Sequence, residues 1–98
     1  MSKVIWKFGL ASQPGHQSIE MPDGARILSF GLQGEYHRVL TVWALCDPDA
    51  ETVSKDLFLA WTGSFPPPEE NFEYFIGTVQ DGVLVWHLFG RTRPDATT

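Results

Sequence analysis

The residues of this 98-residue chain that could do chemistry are few and far apart. His16, His37 and His87 are the only histidines, and no HxxxH or CxxC places two ligands on one turn, so any metal site would have to be assembled from distant segments. No metal site is expected. Cys46, the single cysteine, would need a nearby base and a depressed pKa to act as a nucleophile. Nothing beside it supplies either, and it reads as a small buried hydrophobe. Ser29, Ser54 and Ser64 lack the GxSxG setting of a nucleophile elbow. The acidic pairs Asp47/Asp49 and Glu69/Glu70 sit in turns, and glycosidic chemistry would require them to face one another across a cleft. Gly-rich phosphate loops are absent, and no cofactor is expected. His87 is the most suggestive of these groups. It alternates with Val85 and Phe89 beside Tyr74 and Ile76, where a neutral imidazole could hydrogen-bond Tyr74 or a backbone group and could serve as a general base.

The elements that must position these groups are all strands. Phe72 to Gly90 is two apolar, β-branched and aromatic runs separated by Asp81-Gly82, which predicts an antiparallel hairpin with a type I′ turn. If Gln80 pairs with Val83, then Phe75, Gly77, Val79, Leu84, Trp86 and Leu88 share one face. Tyr74, Ile76, Thr78, Val85, His87 and Phe89 then share the other. Both faces are apolar, which reads as an interior hairpin.

Ahead of it, Lys3 to Leu10 alternates with period two, Pro14-Gly15 marks a turn, and Gln17 to Met21 is a short strand. Pro22-Asp23-Gly24 is a second turn leading to a strand over Ala25 to Gln33. Arg38 to Cys46 is apolar on both sides and reads as a central strand covered twice. Asp47-Pro48-Asp49 ends it with an Asx-type turn. Thr52 to Thr62 is a strand with a half-exposed start, although a turn of helix competes over Ala50 to Asp56. Thr62 to Asn71, with Pro66-Pro67-Pro68, is an irregular loop, and Arg91 to Thr98 a polar tail with nothing to bury. The fold class is therefore all-β: residues 1–90 form one antiparallel β-sandwich or small barrel of about seven short strands.

Composition bounds the function. A charge of −5 and the absence of a Lys/Arg run argue against nucleic-acid binding, which rests on neutralising phosphates. No apolar run approaches the roughly 20 residues of a membrane-spanning helix. No secretory leader is evident, and a cytoplasmic location is the expectation. Four tryptophans, Trp6, Trp43, Trp61 and Trp86, exceed what so small a core demands, so some aromatic surface should be left as an interface.

The strings IWKF (Ile5 to Phe8), IEMPDGARILS (Ile19 to Ser29), VWALCDPD (Val42 to Asp49), WTGSFP (Trp61 to Pro66), YFIGTVQ (Tyr74 to Gln80) and VWHLF (Val85 to Phe89) carry a resemblance. Over Lys3 to Phe89 the chain resembles a family of small proteins of bacteriophage and bacterial genomes whose domain is of unknown function. The family pattern has a valine where this chain has Cys46 and a histidine where it has Phe65, which removes a shared role for either position.

Three functions follow as expectations. The first is a non-enzymatic module that binds a protein partner, from the host or a second copy, through an aromatic sheet face or the Thr62–Asn71 loop. The second, implied by the company of the resembling proteins, is a small-ligand binder that sequesters a host-defence nucleotide. The third is a small hydrolase using His87. The binding residues expected are Arg38, Trp61, Thr62, Gly63, Phe65, Tyr74 and His87. Within the loop, Phe65 is either an apolar anchor for a partner or a lid on the end of the sandwich, with Glu69 and Glu70 as a charged rim.

Overall fold

Alternation of large apolar with polar residues, broken by Gly, Pro and Asp, produces seven strands and no helix in the computed structural model, which describes residues 2–67, 72 and 74–91. They are β1 (Val4–Gly9), β2 (Gly15–Pro22), β3 (Arg26–Gln33), β4 (Val39–Cys46), β5 (Thr52–Trp61), β6 (Tyr74–Asp81) and β7 (Leu84–Gly90). All pair antiparallel in two sheets, one ordered β1-β4-β3 and the other β2-β5-β7-β6. The sheets face one another as a sandwich, with no closed barrel. The molecule is 17 Å through its thinnest direction, as two layers about 10 Å apart require.

The core lies between the sheets. From β4 come Leu40, Val42, Ala44 and Cys46, and from the opposite sheet Leu57, Leu59, Trp86 and Leu88, all of them buried. Trp86 stacks obliquely on Trp61 at 5.5 Å between ring centroids. Its indole N–H has no hydrogen-bond partner among the described residues.

Several local expectations are met by bonds. Asp47 Oδ1 accepts from the Asp49 amide at 3.0 Å, the Asx turn that stops β4. The Ala25 amide donates to the Pro22 carbonyl at 3.1 Å across the Pro-Asp-Gly turn. Where a helical turn competed, β5 is already extended from Thr52.

Three expectations are corrected. The hairpin turn is shifted by one residue: Asp81 pairs with Leu84, so the central residues are Gly82 and Val83. Gly82 has φ of 62° and, among the described residues, Val83 included, no non-Gly residue has positive φ, so the turn has the II′ pattern, which needs a left-handed residue only at its first central position. Second, a bulge at Ile76 changes the phase of β6. Gly77 and Val79 stay on the inner side with Leu88 and Trp86, but Phe75 now pairs with Phe89 on the outer face and Tyr74 with Gly90 on the inner one. Third, neither two-sided apolar segment is covered twice. β4 is central, yet its outer side leaves Trp43 and Leu45 half-buried and Val39 exposed. β6 is an edge strand whose Phe75 is half exposed.

Candidate functional site

The register that builds the core also sorts the remaining chemistry onto two places. In the four-stranded sheet the outer face takes every residue out of phase with Leu57, Leu59, Trp86 and Leu88. Those residues include His16, Ser18, Asp56, Phe58, Thr78, His87 and Phe89. Toward the end of the sandwich that holds the Pro22–Arg26 and Asp47–Glu51 connections, Asp56 is the centre of a polar cluster. Its Oδ1 accepts from Ser18 Oγ at 2.8 Å and contacts His16 Nε2 at 3.1 Å, while Oδ2 pairs with Arg91 Nη1 at 3.2 Å. The Ser18 hydroxyl first, and His16 next, hold this carboxyl below the ordinary range. Arg91 adds opposite charge, and partial burial works the other way. Arg91 also lies 5.1 Å over the buried ring of Phe72, which packs in turn on Phe58 and His16. The Ser–Asp–His grouping does not form a nucleophile–base pair, because serine and histidine both bond the carboxylate rather than each other.

This cluster was not read from the sequence, although HQS in β2 and Asp56 in β5 alternate onto one face once both strands are aligned. Arg91, expected to begin an unattached tail, is fastened. The rest of that tail, residues 92–98, lies outside the described residues.

His87 sits farther along the same face. Thr62 Oγ1 is 2.7 Å from its Nε2 and Thr78 Oγ1 is 3.0 Å from its Nδ1. A neutral imidazole must donate through one nitrogen and accept through the other, so one threonine hydroxyl is acceptor and the other donor. The expected contact with Tyr74 is absent, since the Ile76 bulge sends Tyr74 to the inner face beside Gly90, away from His87.

The other residues of the expected binding set meet at one end of the sandwich, excluding Tyr74. Trp61 closes β5, and the Thr62 amide donates to the Val85 carbonyl at 3.0 Å. Gly63 follows in the turn. Ser64 Oγ donates to the Trp61 carbonyl and accepts from the Trp61 amide, which fixes the start of the loop. Arg38 pairs with Asp81 at 3.8 Å and so joins the β3–β4 connection to the β6–β7 turn. Phe65 is 90% exposed, which overturns the lid reading. Pro68, Glu69, Glu70 and Asn71 lie outside the described residues, and with them the charged rim.

Cys46 is fully buried, with its Sγ 3.5 Å from the Ala44 carbonyl, and desolvation pushes the thiol up. An inert core thiol is the result. Among the described residues no three His, Cys, Asp or Glu side chains gather as a metal site, and no helix is long and apolar enough to cross a membrane.

Fold and site together define a small two-sheet antiparallel β-sandwich with a polar-aromatic outer face and one apolar end. The chain belongs to the family described as Domain of unknown function (DUF7352), whose profile matches residues 1–98. No curated protein and no solved structure matches it.

Proposed function

We propose that this protein is a non-enzymatic interaction module, an accessory protein of a bacteriophage or bacterium that works in the cytoplasm and docks a protein partner through the Thr62–Phe65 end of the sandwich. The observation that carries this reading is that the three most exposed large apolar side chains lie at one end of the sandwich, whereas Ile5, Trp6, Leu28, Val53 and Phe75, spread over the rest of the molecule, are exposed to a lesser degree. Tyr36, Phe65 and Val83 are 90%, 90% and 99% exposed, and Trp61, Leu84 and Val39 stand beside them in sequence or register. All belong to strand ends or connections on one end of the molecule. Exposed apolar groups gathered in one region are what partner surfaces carry, and aromatic anchors supply most of the binding energy of such surfaces. The partially rigid Pro66-Pro67 segment reduces the ordering cost of docking.

The test uses Phe65→Ala and Val83→Asp. Both side chains are exposed, so stability should change by no more than about 0.5 kcal/mol, while capture of the partner by immobilised protein is lost. A melting temperature that drops with partner capture intact would sink the proposal.

A nucleotide-sequestering role has less support: an anionic ligand would have to be met by Arg26, Arg38 or the backbone amides near Thr62-Gly63-Ser64, and of these Arg38 is paired with Asp81, while the Thr62 and Ser64 amides donate to the Val85 and Trp61 carbonyls. Hydrolysis has one observation in its favour, the Thr62 hydroxyl 2.7 Å from His87 Nε2, which is nucleophile-to-base distance. In an ester and phosphoester panel that reading requires turnover abolished by both His87→Ala and Thr62→Val, and equal rates in wild type and His87→Ala remove it.

A further inference from the structure

Four strands lie at sheet edges, and three are blunted. β3 and β6 both carry bulges and come together where a Cβ on Gly77 would stand 3.6 Å from Phe30 Cβ. β2 ends in Pro22 and carries Glu20, and its Gln17 is bonded at both ends of the side-chain amide to Ala11 of the incoming chain, at 2.9 and 3.1 Å. β1 has no proline and no bulge. Its one charged residue, Lys7, reaches over its own sheet to donate to Gln33 Oε1 on β3 at 2.8 Å. Ile5 and Trp6 beside it are 60% and 43% exposed. An edge without such protection is a template for another strand.

The hydrogen-bond phase shows which groups that edge offers. The Leu10 amide donates to the Leu40 carbonyl at 2.8 Å, one step past the Gly9–Thr41 pair. Antiparallel ladders alternate, so Val4, Trp6 and Phe8 also turn their amide groups toward β4. Lys3, Ile5, Lys7 and Gly9 turn theirs to the outer edge, which no strand among the described residues pairs with.

We propose that β1 pairs antiparallel with β1 of a second copy, with Trp6 opposite Trp6 across a two-fold axis normal to the sheet. Edge-facing residues must oppose edge-facing residues, so registers that use most of the strand are centred on Ile5, Trp6 or Lys7. Centring on Lys7 opposes two lysines directly. Centring on Ile5 sets Lys3 against Lys7. Centring on Trp6 sets Lys7 against Ile5 and Lys3 against Gly9, so no like charges face each other and the whole strand is used. It also makes Trp6 with Trp6, and Val4 with Phe8, the closer, non-hydrogen-bonded pairs on the inner face. The segment is thus complementary to its own reversed copy, which is what selects a second molecule of this chain over an unrelated strand. The product is a six-stranded sheet running through both protomers.

Sedimentation velocity on the full chain across a concentration series should show a reversible monomer–dimer equilibrium. Lys7→Pro removes one edge-facing N–H and leaves the β4 ladder intact, so it should be monomeric with an unchanged far-UV spectrum. Ile5→Lys, which places a second lysine against Lys7, should weaken the dimer, and Ile5→Glu should tighten it at low salt. Trp6→Cys should cross-link to itself on mild oxidation, because Cα atoms in a non-hydrogen-bonded pair are within disulfide reach. A wild-type monomer at every concentration overturns the proposal, as does a dimer indifferent to both Lys7→Pro and Ile5→Lys. None of these substitutions touches the Thr62–Phe65 end, so failure here leaves the partner-docking reading standing and the two can be told apart.

Discussion

At the scale of the residue, Asp56 is the side chain with the most at stake. One carboxylate holds Ser18, His16 and Arg91, and so ties β2, β5 and the end of β7 together on the outer face. Its folded pKa is depressed. The stability it contributes is therefore fully present above the unfolded value of about 3.9 and is lost as pH falls through the folded value. Denaturant titrations should accordingly show the wild type losing this contribution only below about pH 4. Asp56→Asn should be less stable at pH 7 by about 1 kcal/mol, discounted for partial exposure, and should have a flatter acid limb. Identical acid limbs in the two proteins would show that the cluster contributes no such coupling.

At the scale of the element, two glycine turns separate conformational strain from crowding. In the β6–β7 turn Gly82 has φ of 62° and open space where a Cβ would go, so Gly82→Ala should cost about 1 kcal/mol, from backbone conformation alone. In the β3–β4 connection Gly34 has φ of 109°, and a Cβ there would lie only 2.4 Å from the His37 carbonyl oxygen. Gly34→Ala should lower the melting temperature clearly more, and equal losses would contradict this account. The strands themselves were legible: alternation and turn residues place all seven, because one buried face imposes period two on every strand. What alternation cannot reveal is a bulge, since one extra residue at Ile76 leaves composition unchanged yet exchanges the faces of Tyr74 and Phe75. The expected Tyr74–His87 contact failed for that reason. The Asp56 cluster escaped because its members come from β2, β5, the approach to β6 and the end of β7, and pairing order between such distant segments is not written in local pattern. The loop-end residues Trp61, Thr62, Gly63 and Phe65 were singled out because irregular, proline-rich connections stand out locally, and the structure places them together at one end of the sandwich.

At the scale of the whole molecule, the sandwich is asymmetric from side to side. β3 and β6 approach closely at Phe30 and Gly77, whereas β1 and β2, among the described residues, make no comparably close approach on the other side. Gly77→Leu should wedge the close side, displace Phe30 and cost about 1–3 kcal/mol by overpacking, measured as a shift in the urea midpoint. A neutral result would mean the sheets can separate there without loss. The lengthwise arrangement is asymmetric too. β1 begins opposite Cys46 and β7 runs out toward Asp56, so the chain enters and leaves this unit away from Tyr36, Phe65 and Val83. A leash continuing from Val4 or from Arg91, whether a flexible fusion or a sensor-chip linker, would hold the molecule with Tyr36, Phe65 and Val83 on the side away from the support.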